Sequence, residues 1–153
     1  MSNGSNAAQL WFIAGTIPIL VAGGGHVLLT LVDVVRPTYF TPEASSLRPE
    51  LDGTGMRFRS LVPGGDRSRP SLWRAWLGFN ISHGLGAFAF GLLVLLVAVD
   101  EPGLLERSQE IALVVLALSA TYLAVALRFW FWLPALVVAT STTCFAIATL
   151  LVL

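Results

Sequence analysis

Long apolar runs separated by short polar stretches dominate this chain. Residues 10–35, 72–99, 111–127 and 133–153 are almost free of charge and show no strict alternation of apolar with polar positions. A helix rises about 1.5 Å per residue and a bilayer's hydrocarbon core is about 30 Å thick, so runs of roughly 20 residues are long enough to cross it. Barrel strands are about ten residues long and alternate, and an open sheet in lipid would leave backbone groups unpaired. The pattern therefore predicts an all-α membrane protein, a four-transmembrane-helix bundle with helices at about 10–35, 72–99, 108–130 and 133–153. The third apolar run is short, so its helix is extended to interfacial ends. The whole of 1–153 reads as one membrane domain with a single sizeable polar connection at 36–71. The first run is too long for the apolar core of a signal peptide and no basic residue precedes it, so it is expected to be retained as a span.

Composition agrees with this picture: the chain is 56% hydrophobic and 12% charged, against about a quarter charged in soluble domains. Net charge is zero, yet the charges are sorted by side. The chain has no lysine. Arg36, Arg48, Arg57, Arg59, Arg67, Arg69 and Arg74 lie in or beside the first connection, and Arg128 lies at the turn between the third and fourth spans. The remaining connection carries Asp100, Glu101, Glu106 and Glu110 against Arg107 alone. The positive-inside rule then puts the arginine-bearing connections in the cytoplasm and both termini outside. The expected setting is a bacterial inner (plasma) membrane, crossed several times, with the bilayer itself as the first partner. Trp73, Trp76, Trp130 and Trp132 fall at the cytoplasmic interface and Trp11 at the outer one, as aromatic belts do. Pro134 suits the first turn of the fourth helix, whereas Pro18, inside the first span, is expected to kink it.

The 36–71 connection is rich in proline and glycine, which predicts an extended loop. Residues 56–62 alternate apolar with basic, a pattern suited to an anionic leaflet with Phe58 dipping in, or to a plain solvated loop. Nucleic acid is not an expected partner, because Glu43, Glu50, Asp52 and Asp66 dilute the arginines and no recognition module is visible. The chain has no nucleotide-binding glycine loop, no H-E-x-x-H and no G-x-S-x-G. Cys144, the single cysteine, reads as a small packed side chain.

The two histidines, His26 and His83, each fall inside an apolar run. Ionisable groups at such positions are expensive and mark functional sites by default. His26 is nine residues from the inner end of its span and His83 ten residues from Trp73, so both rings sit roughly 14 Å deep. Thr143 and Cys144 fall at a similar depth and Tyr122 somewhat nearer the cytoplasm. His26, Thr30 and Asp33 share one helix face, and Asn80, His83, Gly84, Ala87 and Gly91 form one stripe on the second helix. Small residues on that stripe permit close helix approach, and the run Gly23, Gly24, Gly25 leaves the backbone before His26 bare.

The stretch from Trp76 to Gly86, Trp-Leu-Gly-Phe-Asn-Ile-Ser-His-Gly-Leu-Gly, with the glycine-rich approach to His26, resembles small four-span bacterial membrane proteins of uncharacterised function that carry a W-x-G-F-N-x-S-H-x-x-G pattern. The resemblance covers the spans and not the 36–71 loop. It implies four helices in the inner membrane, with Asn80, Ser82 and His83 as the motif's polar members, and brings no activity with it.

Three readings of the histidine pair follow. In the first, each imidazole is hydrogen-bonded across helices and serves only to fix the bundle. In the second, His26, Asn80 and His83 build a mid-membrane pocket, with Thr30, Tyr122 and Thr143 as further polar walls, for a small lipophilic ligand such as a quinone, sterol or isoprenoid. In the third, His26 and His83 ligate a b-type haem; a metal ion would want a third ligand, for which only Cys144 is near the right level. The pocket is the reading carried forward, without assigning catalysis. Its competitor is a non-catalytic accessory or structural subunit of a larger membrane complex, or a homo-oligomer; haem ranks third. Asp33 and Arg128, both at the cytoplasmic edge, are expected to form a structural ion pair, with each other or with Arg36 or Arg74, the alternative for Asp33 being the inner end of a proton path through Thr30 to His26.

Overall fold

A computed structural model describes residues 3–40, 53 and 71–153. Among these residues five helices follow one another: α1 (Asn3–Val35), α2 (Leu72–Asp100), α3 (Pro102–Arg107), α4 (Gln109–Phe129) and α5 (Trp132–Val152). Four of them, α1, α2, α4 and α5, are long and apolar enough to cross a membrane. Among the described residues the regular structure is thus helical, with four helices of spanning length.

The boundaries differ from expectation in two places. Helix α1 starts at Asn3 rather than at residue 10 and runs on without interruption through Pro18. The acidic connection, expected to be a loop, contains α3. Pro102 opens that helix, where its missing N–H leaves no bond unmade, and Leu105 is only 2% exposed. A short helix drops that leucine into an apolar core while Glu101 and Arg107 stay exposed. The alternation at 56–62 and the arginines at 48, 57, 59, 67 and 69 lie outside the described residues.

The described residues divide into two compact units, Met1–Gly24 with Gly86–Leu153, and Gly25–Leu85. The first has a core that includes Phe12, Ile19, Val94, Leu105, Val115 and Phe145. Two glycines set how closely its helices approach. A Cβ on Gly15 would lie 2.6 Å from the Phe145 ring, and one on Gly91 would lie 3.1 to 3.3 Å from Leu20 and Ile19 atoms. Gly91 was legible as part of the small-residue stripe; Gly15 was not.

Polar side chains in this unit are used to tie helices together. Gln9 Nε2 donates to the Ala98 carbonyl at 2.9 Å. The Thr142 hydroxyl, with one proton, donates to Val138 O at 2.8 Å, which leaves the Ser119 hydroxyl to donate to Thr142 Oγ1 at 2.7 Å. Thr149 bonds the Ala112 carbonyl at 3.3 Å. Buried Ser141 is different: its Oγ has no hydrogen-bond partner among the described residues, a state that costs about 1–3 kcal/mol.

The second unit comprises the end of α1, the turn that follows it and the beginning of α2. Ser71 caps α2, its Oγ accepting from Arg74 N at 3.3 Å and its carbonyl from Ala75 N at 3.0 Å.

Gly15→Ala tests the close approach in the first unit. The added methyl overlaps the edge of Phe145, which is fully buried and has no open side to move into, so thermal unfolding in detergent should show a loss of about 1–3 kcal/mol.

Candidate functional site: a histidine pair with an aromatic cover

The second unit holds the residues with the most chemistry. Helix α1 ends at Val35, and Pro37 cannot extend it. The chain reverses over residues 36–40, and Asp33, in the last turn of the helix, is what shapes that reversal. Its Oδ1 accepts from Thr38 N at 2.7 Å and Tyr39 N at 2.8 Å, and its Oδ2 from Phe40 N at 2.6 Å. The carboxylate is fully buried, and charge-assisted bonds to backbone amides are among the stronger ones available to it. Thr38 Oγ1 adds a bond to Arg36 O at 2.9 Å.

This turn delivers Phe40 to His26. The ring centroids are 4.5 Å apart. The carbonyl of Phe40 accepts from Trp76 Nε1 at 3.0 Å, so the turn is joined to α2 as well as to α1. One turn further along α2, Asn80 donates through Nδ2 to Trp76 O at 2.8 Å and meets His26 Nε2 with Oδ1 at 3.0 Å. That first bond fixes which way the amide faces. Its nitrogen must point at the Trp76 carbonyl, its oxygen therefore points at His26, and His26 Nε2 must carry a proton to donate. In the neutral ring the lone pair is then on Nδ1.

His83 completes the cluster. Its ring meets that of His26 edge to face, 5.7 Å between centroids and 80° between planes. On its other side it stacks on Phe79, at 5.8 Å and 11°, and Phe79 stacks on Trp76 at 6.4 Å. Asn80 is buried, both histidines are half-buried, and Phe79 and Trp76 are exposed. The result is a buried polar pair with an open aromatic margin.

Of the residues singled out in the sequence, the structure brings His26, Asn80 and His83 together. Thr30 is buried beside them but spends its hydroxyl on the His26 carbonyl at 2.7 Å, so it stiffens α1 rather than offering a polar wall. Tyr122 and Thr143 belong to the other unit. Tyr122 is stacked on Phe90 at 6.4 Å and 14°. Thr143 is exposed, with its hydroxyl on the Ala139 carbonyl at 2.9 Å. It is a surface residue, because back-bonding within the helix already satisfies it.

Both oxygens of Asp33 accept from backbone amides. In the other unit the Arg128 guanidinium lies over the Phe129 ring at 5.1 Å from its centroid.

The haem reading meets a geometric obstacle. A porphyrin ligated by both histidines would need its plane between them, yet the rings touch edge to face and His26 Nε2 is engaged by Asn80. Among the described residues no three metal-binding side chains converge.

Sequence reasoning missed Phe40 and the manner in which Asp33 is used. No family model, curated protein or solved structure matches the chain.

The tautomer is directly testable. In protein labelled with ¹⁵N-histidine, His26 should carry its proton on Nε2; Asn80→Ala should release that preference and lower stability by about 1 kcal/mol, the usual size of an interhelical polar bond in a membrane.

Proposed function

We propose that this chain is a multi-pass protein of a bacterial inner membrane, with both termini outside, that binds a small lipophilic ligand at the His26, Asn80 and His83 cluster. The W-x-G-F-N-x-S-H-x-x-G run groups it, on this reading, with the small four-span bacterial proteins that carry that pattern.

One observation supports the site above all: two imidazoles in contact, one held in a fixed tautomer by a buried amide, the other half-buried beside exposed Phe79. A cluster built only to join two helices would need the Asn80 bond and nothing more. A second imidazole flanked by exposed aromatic rings suits a ligand that arrives through lipid, lays its apolar part on Phe79 and Trp76 and offers its polar head to His83. Asn80 is the support that holds His26 against His83. Such a site binds and orients; a proton transfer at His83 is chemically open to it, but binding alone accounts for the arrangement.

The site is checked by titrating purified protein with decylubiquinone, cholesterol and geranylgeraniol while following tryptophan fluorescence. At least one should bind, and His83→Ala should weaken it about tenfold, the equivalent of one hydrogen bond of about 1.4 kcal/mol. Equal affinity in wild type and His83→Ala would remove the site.

Orientation is tested separately. A fluorescent protein that folds only in the cytoplasm, fused after Leu153, should stay dark, while a periplasmically active phosphatase fused there should be active.

A further inference from the structure

The described attachments of the turn over residues 36–40 are the Arg36 amide on the Val32 carbonyl, the three amides on Asp33, the Phe40 carbonyl on Trp76 and the Phe40 ring on His26, while Thr38 and Tyr39 are exposed. Exposed turns lie nearer the low-stability end of a fold than the helices they join. Phe40 also does two things at once: its ring lies on His26, and its carbonyl takes the indole proton of Trp76.

From this we infer that residues 36–40 form a strap whose Phe40 stands in for the ligand, and that the ligand which displaces it is a flat ring bearing an acceptor oxygen, a quinone or ring ketone. The inference rests on the binding site proposed above and narrows what that site takes. When Phe40 swings away, two groups each lose one contact. The face of His26 loses an aromatic ring, and Trp76 Nε1 loses a carbonyl oxygen. An indole N–H has no acceptor capacity of its own and must find an oxygen. A linear isoprenoid alcohol brings an oxygen but no ring for His26. A sterol brings rings, but saturated and thick ones, where the place left by Phe40 is that of a single planar ring. A quinone replaces both contacts in one molecule, and its isoprenoid-like tail has the adjoining lipid to lie in.

Asp33 is then a positioning residue. It touches no ligand, and it sets the balance between closed and open strap by the three amides it holds. Removing the ring of Phe40 relieves the competition and leaves Trp76, His26 and His83 in place. Removing the Trp76 indole takes away the donor that the ligand's oxygen would use.

The test compares decylubiquinone with geranylgeraniol by tryptophan fluorescence in wild type, Phe40→Ala, Phe40→Leu and Trp76→Phe. It is combined with carbethoxylation of the histidines, read by mass spectrometry in unliganded protein. Decylubiquinone should bind Phe40→Ala at least fivefold more tightly than wild type and Trp76→Phe at least fivefold more weakly, and geranylgeraniol should not compete. His26 should be modified at least fivefold faster in Phe40→Ala than in wild type, with Phe40→Leu between the two. Asp33→Asn should accelerate it in the same sense; because that variant risks misfolding, the Phe40 variants carry the decision. An unchanged His26 rate in folded Phe40→Ala overturns the strap, with or without ligand. Binding of geranylgeraniol with no binding of decylubiquinone overturns the ring-ketone class and leaves the lipophilic site standing. Failure of every probe in the wild type and in the unstrapped Phe40→Ala overturns the site itself, and with it the inference.

Discussion

One buried carboxylate governs the half of the molecule that contains the histidines. A negative charge in the last turn of a helix sits where the backbone already presents unpaired carbonyls, an arrangement that repels. Asp33 is tolerated there because three amide N–H groups from the next residues converge on it. The charge and the reversed chain stabilise one another. The place of Phe40 and the bond its carbonyl accepts from the Trp76 indole inherit this geometry, while Asn80 is oriented separately, by the main-chain carbonyl of Trp76 within α2.

How much of this was legible depended on which residues report through periodicity. The four spans were plain, since length and apolarity alone decide them, and the shared stripe of Asn80 and His83 followed from helical spacing. His26 and Asn80 were expected in one pocket from the equal depth of the two histidines and the stripe that Asn80 shares with His83. Phe40 was invisible for a different reason. An aromatic residue in a proline-bearing polar stretch looks like any other loop residue, and its placement is set by where three amides point, which no pattern of side chains encodes. For Asp33 the sequence offered the nearby arginines as partners, and the claim of the backbone donors on its oxygens leaves no trace there.

Depth counting had a similar boundary. It grouped Thr143 and Tyr122 with the histidines by level alone. Level does not say which way a side chain faces, and a threonine whose hydroxyl bonds its own helix needs no polar neighbour at all. Gly15 shows the opposite case. Its value lies in the flank of Phe145, a residue far along the chain, so the isolated glycine carried no signal until the two were seen side by side. The short helix α3 was obscured by the acidic and polar residues around its two leucines, although Pro102 and the buried position of Leu105 explain it in retrospect.

The way Asn80 holds His26 also gives the pair a direction. A carboxamide neither takes up nor gives away protons near neutrality, and here its nitrogen is turned toward a main-chain oxygen that is equally inert. Proton exchange at Nε2 would first have to break the bond to Asn80, which makes Nδ1 the readier side of the ring.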